Sequence, residues 1–239
     1  STSDWNSGNE GGAKATRDAR VLGAGFEAMT GGVAELELAG RFSLEGLEGD
    51  DLSEEVQRRM LGGSVARTFG GDAILVRPAI SIDGTAEQTA VSPEIGLRVP
   101  IGATAALRAR AGQAFRMPTL ADLNLSPGLR VRSNPDLEPE RVVVDAELGL
   151  EGSGGADGFT LTGEISGWYR QTEDPIVWLA SAAALWTPRN LDRLVSYGLE
   201  GSVDLSTEAT GSAGWGFSAT ATLDHSRLGF AVNRNPMPY

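Results

Sequence analysis

Residues 103–116 read ATAALRARAGQAFR. In an extended chain Ala105, Leu107, Ala109, Ala111 and Phe115 share one face, and Thr104, Arg108, Arg110 and Arg116 share the other, the period of two that marks a strand with unlike faces. One face is apolar and the other carries two mid-strand arginines. Residues 141–151 repeat the arrangement, with Val142, Val144, Ala146, Leu148 and Leu150 opposite Arg141, Asp145, Glu147 and Glu151. In 159–170, Phe159, Leu161, Ile165 and Tyr169 oppose Thr160, Thr162, Glu164, Ser166 and Arg170, with Trp168 the one misfit. In 195–206, Val195, Tyr197, Leu199, Val203 and Leu205 oppose Ser196, Glu200, Ser202, Asp204 and Ser206. Weaker strands are legible near 20–29, 33–43, 61–69, 72–83, 92–100 and 215–225, about ten in all.

These strands are about 10 to 13 residues long, whereas globular strands cluster near 5 to 6 and a bilayer is crossed by about 9 to 11 tilted residues. Their length favours a membrane-spanning antiparallel β-barrel. Phe159, Tyr169, Tyr197, Trp215 and Phe217 lie near strand ends on apolar faces, where an interfacial girdle or an ordinary core would place them. The connections at 30–32, 70–72, 100–102 and 151–158 are short or glycine-rich, whereas 44–60, 117–139 and 171–193 are long. Structureless connections of that size are uncommon in compact soluble domains, but short turns at one rim and long loops at the other describe an outer-membrane barrel. Hairpin-joined strands alternate direction, so 117–139 and 171–193 are expected at one rim and 100–102 at the other. Even-numbered residues of 104–116 are expected to face a polar lumen and odd ones lipid, because arginine facing lipid at the midplane costs about 2 to 4 kcal/mol. A soluble β-sandwich shares the alternation, but strand length and the loop pattern weigh against it.

Composition excludes several other classes. The longest weakly apolar run in the 239 residues, Trp178 to Trp186, is half of what a spanning helix requires. Cysteine is absent, which removes disulfide frameworks and thiolate chemistry. A net charge of −12 argues against a nucleic-acid partner. His225 is the sole histidine, so neither a two-histidine zinc site nor a choice of catalytic bases exists, and a rim or strand-end position is expected for it. Asp145, Glu147, Glu164, Glu200 and Asp204 recur by strand periodicity, as a water-filled lumen requires, rather than as an acid–base pair. The acidic stretch with Asp50, Asp51, Glu54 and Glu55 lacks the spaced register of a calcium loop, and no glycine motif for phosphate is present. No enzyme activity, cofactor or metal site is indicated. Residues 1–17 read as a flexible polar segment and 18–239 as the partial barrel. The chain opens at Ser1 without an export signal and is expected to be a fragment.

The stretch SPEIGLRVPIGATAALRARAGQAFRMPTLADLNL, followed by SNPDLEPERVVVDAELGLE, resembles the late barrel of TonB-dependent receptors. The residues that carry the likeness include Phe115, Arg116, Pro118, Thr119, Leu120, Leu123, Asn134, Pro135, Leu137, Pro139, Glu140, Glu147, Gly149 and Leu150. GEISGWYRQTEDPIVW, RNLDRLVSYGLEGSVDLS and NRNPMPY extend it, so that 92–239 is covered, while the upstream strands agree in style only. Physically, Pro118, Pro135 and Pro139 fix φ and cannot donate to a ladder, which suits loop bases. Arg116 and Glu140 either pair at the rim or are solvated separately.

The resemblance implies a larger barrel, of 22 strands, together with an N-terminal plug and a TonB-contacting box that are not legible here. It further implies uptake of a scarce small nutrient (a ferric siderophore, cobalamin, haem or a saccharide) across the outer membrane of a Gram-negative-type bacterium. The partners would be outer-membrane lipid, the TonB energy-transducing complex and the nutrient. A passive porin-like or structural barrel is the alternative, and a secreted soluble β-domain the third. Ligand contacts are expected in the loops, from Arg130 and Arg132 in 117–139 and from Trp178, Trp186 and Arg189 in 171–193, because aromatic faces beside guanidinium groups suit chelates and sugars. The competing reading is that WLASAAALW packs against neighbouring loops.

Overall fold

The computed structural model describes residues 17–31, 35–49, 55–71, 73–86, 88–124, 131–156, 158–181, 185–207 and 214–229. In chain order the elements are β1 (Arg17–Met29), β2 (Leu36–Gly49), β3 (Val56–Arg67), β4 (Phe69–Gly70), β5 (Leu75–Gly84), β6 (Thr89–Ile101) and β7 (Ala105–Arg116), then the short helix α1 (Leu120–Asn124). They continue with β8 (Glu140–Ala156), β9 (Phe159–Glu173), β10 (Ile176–Ala180), β11 (Trp186–Asn190), β12 (Arg193–Thr207) and β13 (Gly216–Gly229). One sheet runs β1-β2-β3-β5-β6-β7-β8-β9-β12-β13, with β4 paired to β5. Among the described residues every pairing between two of these strands is antiparallel. The sheet is an open meander: a wall segment of an antiparallel transmembrane β-barrel, not a closed one.

Strand direction alternates without exception along this path. The 117–139 and 174–192 connections therefore leave at one rim, and the β6–β7 and β8–β9 turns lie at the other. Gly102 (φ 68°) and Gly158 (φ 80°) make those tight turns in a conformation that a Cβ disfavours.

The two faces separate as the sequence predicts. In register across β8, β9, β12 and β13 stand Leu148, Gly167, Leu199 and Leu223, and the three leucines are exposed. Leu61, Ile82, Val91 and Ile95 are exposed likewise. Few apolar side chains are buried among the described residues, chiefly Leu47, Ala66, Ala106, Leu120 and Leu137. A soluble sandwich hides its apolar face between two sheets; this sheet turns its apolar face outward over its whole width, as a lipid-facing wall does.

Aromatic residues band that face. Phe159 meets Trp215 edge to face at 5.9 Å near the short-turn rim, whereas Tyr169 stands opposite Tyr197, itself 5.3 Å from His225, toward the other rim. Ten residues of β9 separate Phe159 from Tyr169, about 34 Å along the strand and about 26 Å of height at the usual tilt, which fits the apolar band of such barrels.

Five expectations need correction. Residues 44–60 are not a long loop: Glu45 and Arg58 pair at 2.5 Å, Leu47 stands opposite Val56, and β2 and β3 extend through most of the stretch. Glycine-rich 151–156 belongs to β8 and not to a turn. Residues 171–193 are not irregular, because they hold the end of β9, the β10–β11 hairpin and the start of β12. An extra residue of β8 between Val142 and Val144 makes a bulge. The bulge inverts the alternation, so Arg141 does not share the face of Asp145 and instead pairs with Glu173 and Asp174. The polar segment expected at 1–17 gives up Arg17 to β1, and residues 1–16, like Asp50, Asp51 and Glu54, lie outside the described residues.

Candidate functional site: the polar face and its long-loop rim

Opposite the apolar face, charges alternate from strand to strand. Glu37 of β2 takes two hydrogen bonds from Arg77 of β5, and Arg77 also lies 3.6 Å from Glu94 of β6. Glu94 lies 3.4 Å from Arg110 of β7, Arg110 lies 3.6 Å from Asp145 of β8, and Asp145 accepts from Arg170 of β9 at 2.8 Å. A second row, nearer the short turns, joins Arg98 to Glu151 at 2.8 Å, Glu151 to Arg108 at 3.1 Å, and Arg108 to Glu164. Arg108 and Arg110 thus occupy the polar face, as predicted. Half-exposed pairs of this kind contribute about 0 to 1 kcal/mol each, so the rows signify a hydrated, charge-balanced wall more than a source of stability.

Some pairs reach over an intervening strand. Arg41 of β2 and Asp83 of β5 pair at 2.5 Å across Gly62 of β3, where a Cβ would strike both side chains. The polar side is the concave one, because the connection leaving β7 comes back across it: Arg58 of β3 donates to the Pro118 carbonyl at 2.6 Å, and α1 packs against β2 and β3.

At the long-loop rim two connections are knitted together. Thr119 and Asp122 form a reciprocal cap at the start of α1: the Asp122 carboxylate accepts from the Thr119 amide (3.0 Å) and hydroxyl (2.7 Å), while the Asp122 amide donates to that hydroxyl oxygen (3.1 Å). The other oxygen of the buried Asp122 carboxylate accepts the indole N–H of Trp178 on β10 at 3.2 Å. Asn134 donates through its amide N–H to the Asp122 carbonyl and through its side chain to that of Pro188. Asn190 accepts from the Glu138 amide at 2.9 Å and donates to the carbonyls of Glu138 and Asp174. Arg116 pairs with Glu140 at 2.5 Å, and the second oxygen of Glu140 accepts from the Ile176 amide at 2.6 Å. Asp174, in the left-handed region at φ 53°, turns the chain into fully buried Pro175 and the hairpin.

The candidate residues fare unequally. Phe115, opposite Arg141, ends β7 beside Arg116; Pro118, Asn134, Pro139 and Glu140 frame the base of the loop, and Pro135 sits in an exposed turn. Trp178 is half-buried and committed to Asp122. Trp186 is exposed, and its carbonyl accepts from the Arg132 amide at 2.9 Å beside an isolated parallel bridge to Val131. Arg132 and Arg189 are exposed, but strand alternation places Arg189 on the hairpin face away from Trp178 and Trp186. Arg130 lies outside the described residues. Asp122, Asn190 and Arg58 were missed; the Thr119-Leu-Ala-Asp122 spacing was a readable signal for the first. Among the described residues, no group of three or more possible metal ligands stands together.

A family model described as "TonB dependent receptor-like, beta-barrel" matches residues 62–239. The chain belongs to that family. TonB-dependent receptors reside in the Gram-negative outer membrane and take up nutrients, siderophores among them. No curated protein matches the sequence. Among solved structures, the siderophore receptor PirA from Pseudomonas aeruginosa is similar at 18% identity and TM-score 0.67, over 88% of this chain and 41% of its own. The ferric enterobactin receptor PfeA from Pseudomonas aeruginosa, in a mutant complex with enterobactin, gives 17% identity and TM-score 0.61 over 84% of this chain and 37% of its own. The copper transporter OprC gives 16% and 0.64, over 90% of this chain and 38% of its own. The chain thus spans about two fifths of the length of these relatives, and at such identities the likeness shows the fold. In this TonB-dependent receptor barrel, the late-barrel motif residues serve as the joinery of the long-loop rim.

Proposed function

We propose that this chain supplies barrel wall and outer loops to an outer-membrane receptor that imports a scarce small nutrient by energy coupling through TonB. The observation that carries the reading is the division of one sheet into an outward apolar face and a concave, charge-balanced face, over one rim of which two long connections are cross-tied. Such a rim offers a shaped, semi-rigid entrance, and loops on a rigid scaffold commonly carry recognition. PirA, PfeA and OprC are named for a siderophore, ferric enterobactin and copper, which supports a metal or metal chelate as the cargo class. The rim's Trp186, Arg132 and Arg189 are the proposed contacts. Lipid would cover the outward face, and the TonB complex would act through a plug region of the whole receptor.

The test is to delete the complete gene in its own host and supply iron chelates, copper, cobalamin and saccharides singly as limiting nutrients. Loss of growth on one of them, restored by the gene only when TonB is intact, is the expected outcome. Uptake that persists without TonB points to a passive pore, and recovery of the full product in the soluble fraction rejects the membrane reading.

A further inference from the structure

Trp168 stands on the charged concave face, where every neighbouring wall position is polar or glycine. Its ring lies over the next strand: Gly198 is its register partner on β12, and a Cβ there would come within 2.8 Å of the six-membered ring. The glycine lets the indole lie down along the wall instead of projecting into the lumen. Around it, Arg110, Asp145, Glu147, Ser166, Arg170 and Glu200 line a cavity of about 210 Å³. Trp168 lies five residues before Glu173, the last residue of β9, so this cavity is nearer the long-loop rim than the short turns.

Two guanidinium groups face three carboxylates there. Asp145 is held by Arg170 at 2.8 Å and lies 3.6 Å from Arg110, but Glu147 has only a 3.9 Å approach from Arg110. Among the described residues, Glu200 has no ion pair and the indole N–H of Trp168 no hydrogen bond. The cavity therefore offers an aromatic face, a free N–H donor, two under-used carboxylate acceptors and arginine donors, at nearly balanced charge.

We infer that Trp168, with Glu147 and Glu200, forms a subsite for an uncharged hydroxylated ring, a saccharide-like part of the cargo. The negative face of an aromatic ring attracts the polarised C–H bonds of such a ring, while the hydroxyls donate to the carboxylates and accept from the guanidinium groups and the indole N–H. The excess carboxylate disfavours an anionic group here and the adjacent guanidinium groups weaken the hold on a cation, so the ring would be an uncharged part of a larger cargo, a metal chelate included. The volume is below the roughly 300 Å³ of a whole-ligand pocket, so the site holds one ring of a larger molecule. The inference rests on the receptor reading, since only a lumen open to the long-loop rim brings cargo to this wall.

The experiment uses the complete receptor in detergent, labelled with 5-fluorotryptophan, with the Trp168 resonance assigned by its loss in Trp168→Phe or, if that variant does not fold, in Trp168→Tyr. Methyl β-glucoside is the probe; sorbitol, choline and citrate are the comparisons. A saturable shift of the Trp168 resonance with the glucoside alone, weakened less than threefold by Glu200→Gln but tenfold or more by Glu147→Ala with Glu200→Ala, is expected. A shift with choline or citrate but not with the glucoside overturns the assignment, as does indifference to all four. Indifference in a receptor that still takes up its nutrient through TonB removes this subsite and leaves the receptor reading standing.

Discussion

The indole N–H of Trp178 donates to the Asp122 carboxylate at 3.2 Å, tying together side chains 56 residues apart on the two long connections of one rim. The same carboxylate caps α1 through Thr119. Removing it in Asp122→Ala leaves three donors without their acceptor, and a hydrogen bond to a charged group contributes about 1.5 to 3 kcal/mol. Hydrogen exchange in 117–124 and 176–190 should accelerate at least tenfold, while the barrel strands keep their protection. Equal acceleration in β8 and β9 would show that the latch supports the wall and not the loops.

Arg41 and Asp83 meet above Gly62, whose missing side chain gives them room. Asp83 is nearly buried, so parting the pair strands a carboxylate in a poorly hydrated place. Gly62→Val in the complete receptor should lower stability to urea by about 1 to 3 kcal/mol, the penalty for an unsatisfied buried group. Asp83→Asn in the Gly62→Val background should recover part of that loss. Were Gly62→Val as stable as the parent, the pair would be a passenger.

Val203 and Ser202 are neighbours on opposite faces of β12, midway between the level of Tyr197 and that of Phe159. Arginine in place of Val203 should cost about 2 to 4 kcal/mol in bilayer-reconstituted receptor, the penalty for a cation at the lipid midplane. Ser202→Arg, beside Glu164, should cost little. The reverse order would mean that the apolar face does not meet lipid.

The wall was legible because a period of two is imposed twice over, by lipid on one side and water on the other; Leu107, Arg108, Ala109 and Arg110 announce both solvents in four letters. Where one constraint relaxes, the reading falters. Around Arg58 and Arg59 charges occupy both phases, so strand ends above the membrane read as loop. At Val142, Val143 and Val144 three identical residues hide the bulge, since only the pairing of Val142 with Thr172 and Val144 with Gln171 reveals that Val143 is the extra one. Trp168 broke the pattern for a reason that lies on another strand, the glycine at 198. The rim was legible in its prolines and in Arg116 with Glu140, but the partners of Trp178 and Asn190 are set by contacts 50 or so residues away in sequence, which no local pattern records.

The proposed rim contacts separate by what each side chain is already doing. Trp178 is spent on Asp122, so Trp178→Ala should weaken cargo binding only indirectly, by loosening the hairpin, and Trp178→Phe, which keeps the packing but not the N–H, should do so less. Trp186 is exposed, and beside it the Arg132 amide is fixed to its carbonyl, which holds an aromatic face and a guanidinium stem in one neighbourhood. Losing one such partly desolvated contact costs about 1 to 2 kcal/mol, close to a tenfold change in affinity. Trp186→Ala and Arg132→Ala should therefore each weaken binding of the imported nutrient to intact cells about tenfold at equal surface expression. Their double variant should weaken it less than a hundredfold, because neighbouring contacts are not additive. Arg189, on the opposite hairpin face, should matter less than either. If Trp178→Ala proves the most damaging and Trp186→Ala and Arg132→Ala are silent, the rim acts through its shape alone and recognition lies deeper, along the wall.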